Sequence, residues 1–389
     1  MTHLSPGVDR LRELGAEAAN ADAFDPKAVR NAIEAAVPDV VIDQLTWLPA
    51  NPADIIKSLP NDTRLRREGG GNLLAAAREL GVGRYIVQSR GFYLDAPAGQ
   101  LGDESAKLRY DAPGAIGESI RTTHDYEDRI LASPSMQGVI LRYGFFYGPG
   151  TWYRPDGAIA DQVRRHEAAI IGEGNAVWSF VHIDDAVAAT VASLTAEPGI
   201  YNVVDDDPLP VAEWLPAFAR WVDAPEPPRV SVKDALKTAG EEAVYYHTTL
   251  TGASNSRAKA LLGFMPRPLL WKGGAALAVS SASSCSSEAA SLESSQAQKT
   301  AESCGGAYSG PGREGHTYPH CQLRRTPLRT HTPRAASLVE LRSSATATRN
   351  CSSSSITAIR SPPHAAGQRR RHRGQGVPSV PPAAGRQGP

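Results

Sequence analysis

The chain has 389 residues and no net formal charge, because 41 Lys and Arg residues balance 41 Asp and Glu residues. That length allows one large domain with extensions or two domains, and no apolar run approaches the roughly eighteen residues that a membrane helix needs. All four cysteines follow residue 275, so the first 275 residues hold no disulfide framework, which is typical of the reducing cytosol. We therefore expect a soluble, cytoplasmic protein, and its polar N-terminus does not resemble a signal peptide.

Helical and strand-like patterns alternate through the first part of the chain. In order, they predict a helix over 8–14, a strand over 16–21, a helix over 26–36, a strand over 39–45, a helix over 72–80, a strand over 84–89, a helix over 116–131 and a strand over 138–143. The run over 39–45 is almost wholly apolar, as in a parallel sheet that is covered on both faces. This alternation predicts a doubly wound α/β sheet.

The alternation loosens after about residue 150. A short strand is predicted over 200–204, an amphipathic helix over 211–222 and a last helix over 255–262. We expect these elements to form a second, smaller lobe.

Residues 276–389 have a different composition, rich in Ser, Pro, Gly and Arg, and we expect them to be a disordered tail. The tail contains 14 of the basic and 5 of the acidic residues, so it carries +9 and the remainder −9. Its run over 369–373 is typical of nucleic-acid binding or a nuclear address, but a solvated run is the simpler interpretation, so no nucleic-acid partner is expected. An abrupt switch of this kind would also result from a reading frame out of register. No Cys and His spacing predicts a metal site.

Two motifs lie about thirty residues apart. The sequence VILRYGFFYGPG occupies 139–150, and FVHIDD occupies 180–185. In this order and spacing they resemble the sixth strand, its loop and the next landmark of extended short-chain dehydrogenase/reductases, the NAD-dependent epimerase/dehydratase family. The resemblance covers roughly residues 8–275. It implies a Rossmann-like domain over residues 1–275, with a small substrate lobe drawn mainly from 150–275.

The front of that fold is missing from the sequence. The family opens with a strand, a Gly-x-x-Gly-x-x-Gly turn and a helix that receives the cofactor pyrophosphate, and no such motif occurs here. We therefore expect a sheet that lacks its first strand-helix-strand and exposes an apolar edge. The run Glu68-Gly-Gly-Gly-Asn72 is interpreted as a flexible helix entry. The implied cofactor is NAD or NADP, although the glycine-rich loop that would bind it is not present.

The family's chemistry uses a Ser or Thr, a Tyr and a Lys. The resemblance places the Ser at Ser89, where a hydroxyl that only satisfies backbone groups is the alternative. The Tyr-x-x-x-Lys pair is absent, and its two positions fall on Ser119 and Thr123. His124 is a nearby candidate for proton exchange, because histidine titrates near neutral pH.

Two neighbouring tyrosines, Tyr110 and Tyr126, are further candidates for that role. The resemblance also implies cofactor-binding positions: Asp22 and Ala23 near the adenine, Leu45 and Thr46 near the ribose, and Tyr143, Gly144 and Phe145 near the nicotinamide. A turn acid is the alternative for Asp22, and core aromatics are the alternative for Tyr143 and Phe145. The His-x-x-Asp motif that begins at His182 is interpreted as a helix cap rather than a metal cluster.

Three interpretations of function remain. The first is an NAD(P)-dependent epimerase/dehydratase-like oxidoreductase that acts on a hydroxyl or carbonyl of a small polar or nucleotide-sugar-like substrate. The second is a non-catalytic dinucleotide or metabolite sensor on the same fold. The third is a truncated, inactive product. The expected partner is a small-molecule substrate, no membrane is expected, and a homodimer is compatible with the sequence.

Overall fold

The computed structural model describes residues 1–2, 5–272 and 355–359, which form an α/β fold. The strands are β1 (Val40–Gln44), β2 (Arg84–Arg90), β3 (Leu94–Asp95), β4 (Lys107–Leu108), β5 (Gln137–Tyr143), β6 (Phe145–Tyr147), β7 (Ile170–Ile171), β8 (Val177–Trp178), β9 (Phe180–His182), β10 (Gly199–Val203), β11 (Leu209–Pro210), β12 (Arg229–Val230) and β13 (Ser355–Ile359). The helices are α1 (Ser5–Glu13), α2 (Pro26–Ala36), α3 (Ile55–Arg64), α4 (Gly71–Glu79), α5 (Gly114–Leu131), α6 (Ala158–Arg164), α7 (Ile183–Ala192), α8 (Val211–Trp221), α9 (Val232–Thr238), α10 (Glu241–Thr248) and α11 (Ser256–Leu262).

Five of these strands form the central sheet, in the order β10-β5-β2-β1-β13. The first four run parallel, and β13 pairs with β1 in the antiparallel direction. Alternate residues of the parallel strands enter two separate cores. One core lies under α2, α4 and α5, and the other lies under α7 and α11. The predicted doubly wound parallel sheet is confirmed.

The strand predicted over 16–21 does not form. Within that segment only Asn20 makes a bridge, to Thr2, and the segment stays outside the central sheet. Strand pairing is what stabilises an extended segment, and the described residues provide no neighbouring strand for 16–21. The prediction of a strand there was therefore wrong.

The outer edge of β1 is covered within the described residues. β13 pairs with it over five residues, from Val40 opposite Ile359 to Gln44 opposite Ser355. The expected exposed edge is therefore not observed, and 355–359 departs from the expected disorder of the tail. The predicted boundary at residue 275 and the rest of the predicted tail lie outside the described residues.

The glycine run 69–71 serves close packing. It passes from a π-helical turn, Leu65–Gly70, directly into α4. The Tyr126 hydroxyl oxygen lies 2.8 Å from the Gly70 carbonyl oxygen, and a Cβ on Gly70 would lie 2.8 Å from Cζ of the Tyr126 ring. Glycine is thus required by the approach of α5, which supports the interpretation of this run as part of a helix.

A smaller lobe follows the sheet and has its own aromatic core. Its largest fully buried side chains include Phe180, Phe218 and Trp271. These rings pack edge to face, with the Trp271 centroid 5.1 Å from Phe180 and 5.0 Å from Phe218. Such pairs stabilise beyond the area that they bury, so the lobe is a packed unit beside the carboxyl ends of the sheet strands. No helix in the described part of the chain is long and apolar enough to cross a bilayer.

Candidate active site

The side chains at the carboxyl end of β2 define the centre of the site. Ser89 is buried, and its hydroxyl donates to the Glu127 carboxylate of α5. Arg142 of β5 donates to both oxygens of Glu127, over 3.1 and 2.6 Å. Glu127 and Arg142 are each 2% exposed, so this three-residue network fastens α5 to two strands. Ser89 as a substrate-positioning residue remains a prediction, and its hydroxyl bonds to a side-chain carboxylate rather than to the backbone groups of the alternative interpretation.

Arg90, the next residue, points to the other side of the strand and reaches three polar groups. Its guanidinium donates to the Ser119 hydroxyl over 2.6 Å, to the Thr123 hydroxyl over 3.5 Å and to the Asp62 carboxylate. Ser119 and Thr123 are the positions at which the sequence analysis predicts that the family's Tyr and Lys are replaced. Arg90 therefore contacts both of the predicted positions.

Asp62 of α3 forms an ion pair with Arg90, and each residue stabilises the charged form of the other. Burial opposes ionisation of both groups, but Asp62 raises the pKa of Arg90, and Arg90 together with Arg66 lowers the pKa of Asp62. Asp62 also accepts from the Trp47 amide over 2.7 Å and from the Thr46 hydroxyl over 3.4 Å. The ion pair thus connects α3, β2, α5 and the loop after β1. It is a fixed, charged centre at the carboxyl edge of the sheet.

Sequence reasoning missed Arg90 and Asp62. Arg90 is adjacent to the predicted Ser89, and the alternation of side chains along a strand was the signal that its side chain leaves on the opposite face. Asp62 lies in α3, which was not predicted because Pro60 falls inside it and proline normally disfavours a helix interior.

The predicted ribose positions lie at the end of β1. Thr46 belongs to the centre described above through Asp62. The Leu45 side chain is buried, and its carbonyl accepts from the Gln88 side chain over 2.9 Å. Of the two, Thr46 carries the polar group beside Arg90.

The predicted nicotinamide positions differ in what their side chains do. Tyr143 is buried, its hydroxyl lies 2.6 Å from that of Thr190, and burial raises its pKa to about 12. Gly144 packs against the next strand, where a Cβ would lie 2.5 Å from the Ser179 carbonyl oxygen. Phe145 is half-buried and stacks between two other rings. Phe145 is therefore the residue of the three whose side chain enters a cluster at the site.

That cluster contains five aromatic side chains in a closed ring, which we name the aromatic cluster: Phe92, Tyr93, Phe145, Trp178 and Tyr246. Successive ring centroids lie 4.6, 6.3, 6.1, 4.1 and 4.3 Å apart, in the order Phe92, Tyr93, Tyr246, Trp178, Phe145 and back to Phe92. The hydroxyls of Tyr93 and Tyr246 lie 2.5 Å apart. The aromatic cluster joins the sheet to the smaller lobe, and the sequence analysis identified only Phe145 of its members.

The remaining predicted site residues lie in other settings. Asp22 is exposed and accepts from the Phe24 amide over 2.9 Å, which forms a turn, and the Ala23 carbonyl accepts from Asn72 over 2.9 Å. His124 lies on α5, with its Nδ1 2.7 Å from the Tyr110 hydroxyl. Their assignments remain predictions.

Tyr126 and His182 have structural partners. Tyr126 is buried, and its hydroxyl donates to Asp43 over 2.8 Å. Nδ1 of His182 accepts from the Asp184 amide over 3.1 Å and caps α7, in agreement with the predicted helix cap. Within the described residues, no group of three or more His, Cys, Asp and Glu side chains could hold a metal ion.

The two sequence motifs meet beside this cap. β6 and β9 run parallel, with Phe145 opposite Phe180 and Tyr147 opposite His182. Gly148 begins the turn after β6 with a φ of 98°, and a Cβ there would lie 2.4 Å from Nε2 of His182. The glycine is needed because the imidazole occupies that space. The motif at 180–185 therefore supports the loop that carries Phe145.

The residues described fit one end of a dinucleotide better than the other. Thr46, Arg90 and Phe145 surround the carboxyl ends of β1, β2 and β5, where open α/β sheets bind their ligands. Beyond β1, the position at which a strand would lead into a glycine-rich turn is held in the described residues by antiparallel β13. The nicotinamide and its ribose therefore have candidate contacts, and a phosphate-binding turn is not among the described residues.

Comparison with known proteins agrees with this architecture. The family model described as NAD dependent epimerase/dehydratase family matches residues 2–203. A 3-diazoavenalumate denitrifying reductase from Streptomyces sp. is 39% identical over 256 residues, which cover 65% of this chain and 84% of the relative.

Solved structures of epimerases and dehydratases share the fold. UDP-glucose 4-epimerase of Thermus thermophilus, in complex with NAD, has a TM-score of 0.52 and 23% identity, covering 67% of this chain and 83% of its own. The dTDP-glucose 4,6-dehydratase DesIV of Streptomyces venezuelae, with NAD and TYD bound, has a TM-score of 0.53 and 16% identity, covering 66% and 76%. At these identities the likeness shows the fold alone.

Proposed function

The chain belongs to the NAD-dependent epimerase/dehydratase family, and we propose that it is an NAD(P)H-dependent reductase that replaces the diazo nitrogen of its substrate with hydrogen. The observation that carries this proposal is the set of contacts around Arg90. The positions predicted for the family's Tyr and Lys hold hydroxyls that accept hydrogen bonds from Arg90. A reaction that needs no proton from that Tyr suits such a centre.

The two kinds of reduction differ in their need for a proton. Reduction of a carbonyl creates an alkoxide, which a general acid stabilises by protonating it. Replacement of a diazo group forms a C–H bond from hydride and breaks the C–N bond, whose electron pair leaves with dinitrogen. Carbon receives no proton in that exchange, and the carbonyl oxygen of a quinone diazide becomes a phenolate, which takes its proton from water. The reduced nicotinamide, when bound, supplies the hydride.

The role of the chain's own residues is then positioning and exclusion of water. The Arg90–Asp62 pair is formally neutral and holds the hydroxyls of Ser119 and Thr123. Its charges are fixed before a substrate arrives, and preorganised groups of this kind cost no reorganisation during reaction. The 39% identity to a denitrifying reductase supports the same reaction class.

A deuterium-tracing experiment tests the proposal. The purified chain is incubated with a stable quinone diazide and NADPH that carries deuterium at the transferable position, and both dinitrogen and the product are analysed by mass spectrometry. We expect one dinitrogen released per NADPH consumed and deuterium on the carbon that lost nitrogen. Deuterium that enters only from heavy water, or nitrogen release without NADPH, would refute hydride replacement.

The same assay separates the other interpretations from this one. Reduction of UDP-glucose-derived ketosugars with no diazo turnover would support the small polar or nucleotide-sugar-like substrate. Saturable NADPH binding without turnover of either substrate would support a sensor.

A further inference from the structure

The aromatic cluster lies where a ligand of the sheet would bind. Phe92 and Tyr93 directly follow β2, and Phe145 begins β6, two residues after β5 ends. Trp178 and Tyr246 come from the smaller lobe. Crevices outside the carboxyl ends of parallel strands are the usual ligand sites of open α/β sheets. The cluster thus forms aromatic walls at the junction of the two lobes.

The five rings are only partly withdrawn from solvent. Tyr93 and Trp178 are buried, whereas Phe92, Phe145 and Tyr246 are half-buried. Phe92, Phe145 and Trp178 are stacked with interplanar angles of 18° and 17°. Phe145 lies between its two stacked neighbours, and the partly exposed rings of Phe92 and Tyr246 leave area for a flat partner, because aromatic contacts gain from offset stacking and edge-to-face geometry.

One polar feature breaks this apolar surface. The hydroxyls of Tyr93 and Tyr246 are hydrogen-bonded to each other over 2.5 Å. Among the described residues each hydroxyl has only the other as a partner. A bond between two hydroxyls uses one of their two protons, so one proton and several lone pairs are left for a ligand oxygen. Burial raises the pKa of both phenols, which keeps them protonated and able to donate.

We propose that the aromatic cluster is the substrate-binding surface, and that it selects a planar aromatic ring whose hydroxyl substituent hydrogen-bonds to the Tyr93–Tyr246 pair. The inference rests on the proposed reductase function, since it names the substrate class of the same site. Trp178 supports Tyr246 in this role because its indole nitrogen donates to the Tyr246 carbonyl over 2.8 Å. The guanidinium of Arg90 is near enough for both phenols to influence its pKa.

The charges beside the cluster disfavour a nucleotide diphosphate there. Two cations lie near the cluster. The guanidinium of Arg90 already pairs with Asp62 and contacts Ser119 and Thr123, and that of Arg109 pairs with Asp95. A diphosphate binds well where a cation or a row of amide groups is available to it. The cluster instead offers ring surfaces and two neutral hydroxyls, which fit an aromatic alcohol.

Calorimetric titration with size-matched probes tests this recognition directly. The probes are 4-hydroxybenzoate, 4-methylbenzoate, in which a methyl group replaces the hydroxyl, and UDP-glucose. Each is titrated into the full chain, with and without NADP. We expect 4-hydroxybenzoate to bind about tenfold more tightly than 4-methylbenzoate, as one net hydrogen bond predicts.

Matched variants assign that preference to the tyrosine pair. Tyr246→Phe should reduce the tenfold preference to less than about twofold while leaving the affinity for 4-methylbenzoate unchanged. Tyr201 lies on β10, and its hydroxyl donates to the Glu197 carbonyl. Tyr201→Phe should keep the full preference. If Tyr246→Phe does not give the circular dichroism spectrum of the parent chain, Tyr93→Phe replaces it.

The outcomes separate this inference from the reductase proposal. Equal affinity for the two benzoates, a full preference that survives Tyr246→Phe (or Tyr93→Phe where it replaces that variant), or displacement of 4-hydroxybenzoate by UDP-glucose would each overturn aromatic recognition. Absence of benzoate binding by a chain that still releases dinitrogen would overturn it too, and would leave the reductase function intact. Selective binding of 4-hydroxybenzoate without diazo turnover would support the recognition and refute the reductase function.

Discussion

Arg90 is the residue on which the proposed reductase chemistry depends most. Its neighbour Ser89 belongs to a structural network, while the guanidinium of Arg90 bonds with the residues at the predicted Tyr and Lys positions. An arginine there cannot act as an acid near neutral pH, because a guanidinium keeps its proton and Asp62 raises the pKa of Arg90 against the effect of burial. It can, however, hold a fixed hydrogen-bond geometry. In the proposed reaction its role is therefore positioning rather than proton exchange.

Substitution of Arg90 tests how far the centre depends on its charge. Arg90→Met should leave the Asp62 carboxylate buried beside an apolar chain, and we expect the free energy of unfolding to fall by about 3 kcal/mol. Urea denaturation followed by circular dichroism measures the change. The double variant with Asp62→Asn should recover most of the loss, since no unpaired charge is then buried.

An exposed arginine provides the control. Arg30 pairs with Glu34 and Glu79 at the surface, where ion pairs contribute little, so Arg30→Met should leave the denaturation midpoint unchanged. A double variant as unstable as Arg90→Met alone would contradict the role assigned to the Arg90–Asp62 pair.

Ser89 offers a second test at the scale of one residue. Its hydroxyl donates to a buried, ion-paired carboxylate, and loss of a hydrogen bond to such a group costs about 1–3 kcal/mol. Ser89→Ala should lower the free energy of unfolding by that amount and leave the turnover number of the folded fraction unchanged. A fall of tenfold or more in turnover, with stability retained, would restore Ser89 to the substrate-positioning role.

At the scale of elements, β13 shows that a strand edge can be closed by a segment far away in the sequence. Its five residues pair with β1 across more than 300 positions of chain. Neighbouring backbone N–H groups of a strand point to opposite sides, and proline removes the N–H group. Thr357→Pro and Ala358→Pro should therefore differ, with one of them lowering the melting temperature and the other nearly neutral.

Thermal denaturation of the two proline variants, with Thr357→Ala as a control, measures this difference. Equal effects of both prolines would contradict the described ladder. The reason is that only one of two adjacent residues can donate to β1.

The loop between β10 and β11 contains an acid with an unusual environment. Asp205 is 2% exposed, and one of its carboxylate oxygens has no partner among the described residues. Burial, together with the nearby Asp207 and Asp206, raises its pKa to about 8. The folded chain thus retains a proton that the unfolded chain releases above about pH 4. Stability should therefore fall as pH rises from about 4 to 8.

Asp205→Asn removes this titration. The variant should be more stable than the parent at pH 8, by up to several kcal/mol, and the two should converge near pH 4. Urea denaturation across that range is the measurement. Asp206→Asn is the matched control. Burial opposes ionisation of Asp206, but Asn255 and Lys259 lower its pKa. The ionised Asp206 therefore stabilises the fold at neutral pH and loses that effect only in acid. If the parent chain and Asp205→Asn show the same gain in the free energy of unfolding between pH 5 and 8, the raised pKa assigned to Asp205 is contradicted.

The elements that could be predicted from sequence are those with strong local signals. β2 and β5 each have an apolar centre, over 85–87 and 139–141, followed by polar residues, and α2 has Pro26 just after its capping Asp25. The strand predicted over 16–21 was wrong because a strand needs a neighbouring strand, and the local sequence does not determine whether one is present. The Arg90–Asp62 pair could not be predicted, because it joins an unpredicted helix to a strand end.

At the scale of the whole molecule, the fold provides different contacts for the two halves of the cofactor. The smaller lobe contributes Trp178 and Tyr246 to the aromatic cluster, which lies against the end of the sheet where the nicotinamide is expected. At the outer edge of β1, the neighbouring strand is β13, which runs antiparallel to β1. A strand that leads into a phosphate-binding turn would run parallel to β1. The described fold thus favours the nicotinamide half of the cofactor over the adenine half.

Titration with whole and half cofactors measures this asymmetry. If the nicotinamide half supplies most of the contacts, NADPH and reduced nicotinamide mononucleotide should bind within about threefold of each other. Pyrophosphate at a helix N-terminus normally adds much more, because backbone amides and the helix dipole both favour the anion. Adenosine diphosphate should then compete weakly with NADPH. An NADPH affinity more than 100-fold above that of the mononucleotide, or strong competition by adenosine diphosphate, would contradict the prediction. Either result would place a pyrophosphate site in residues other than those that form the described sheet.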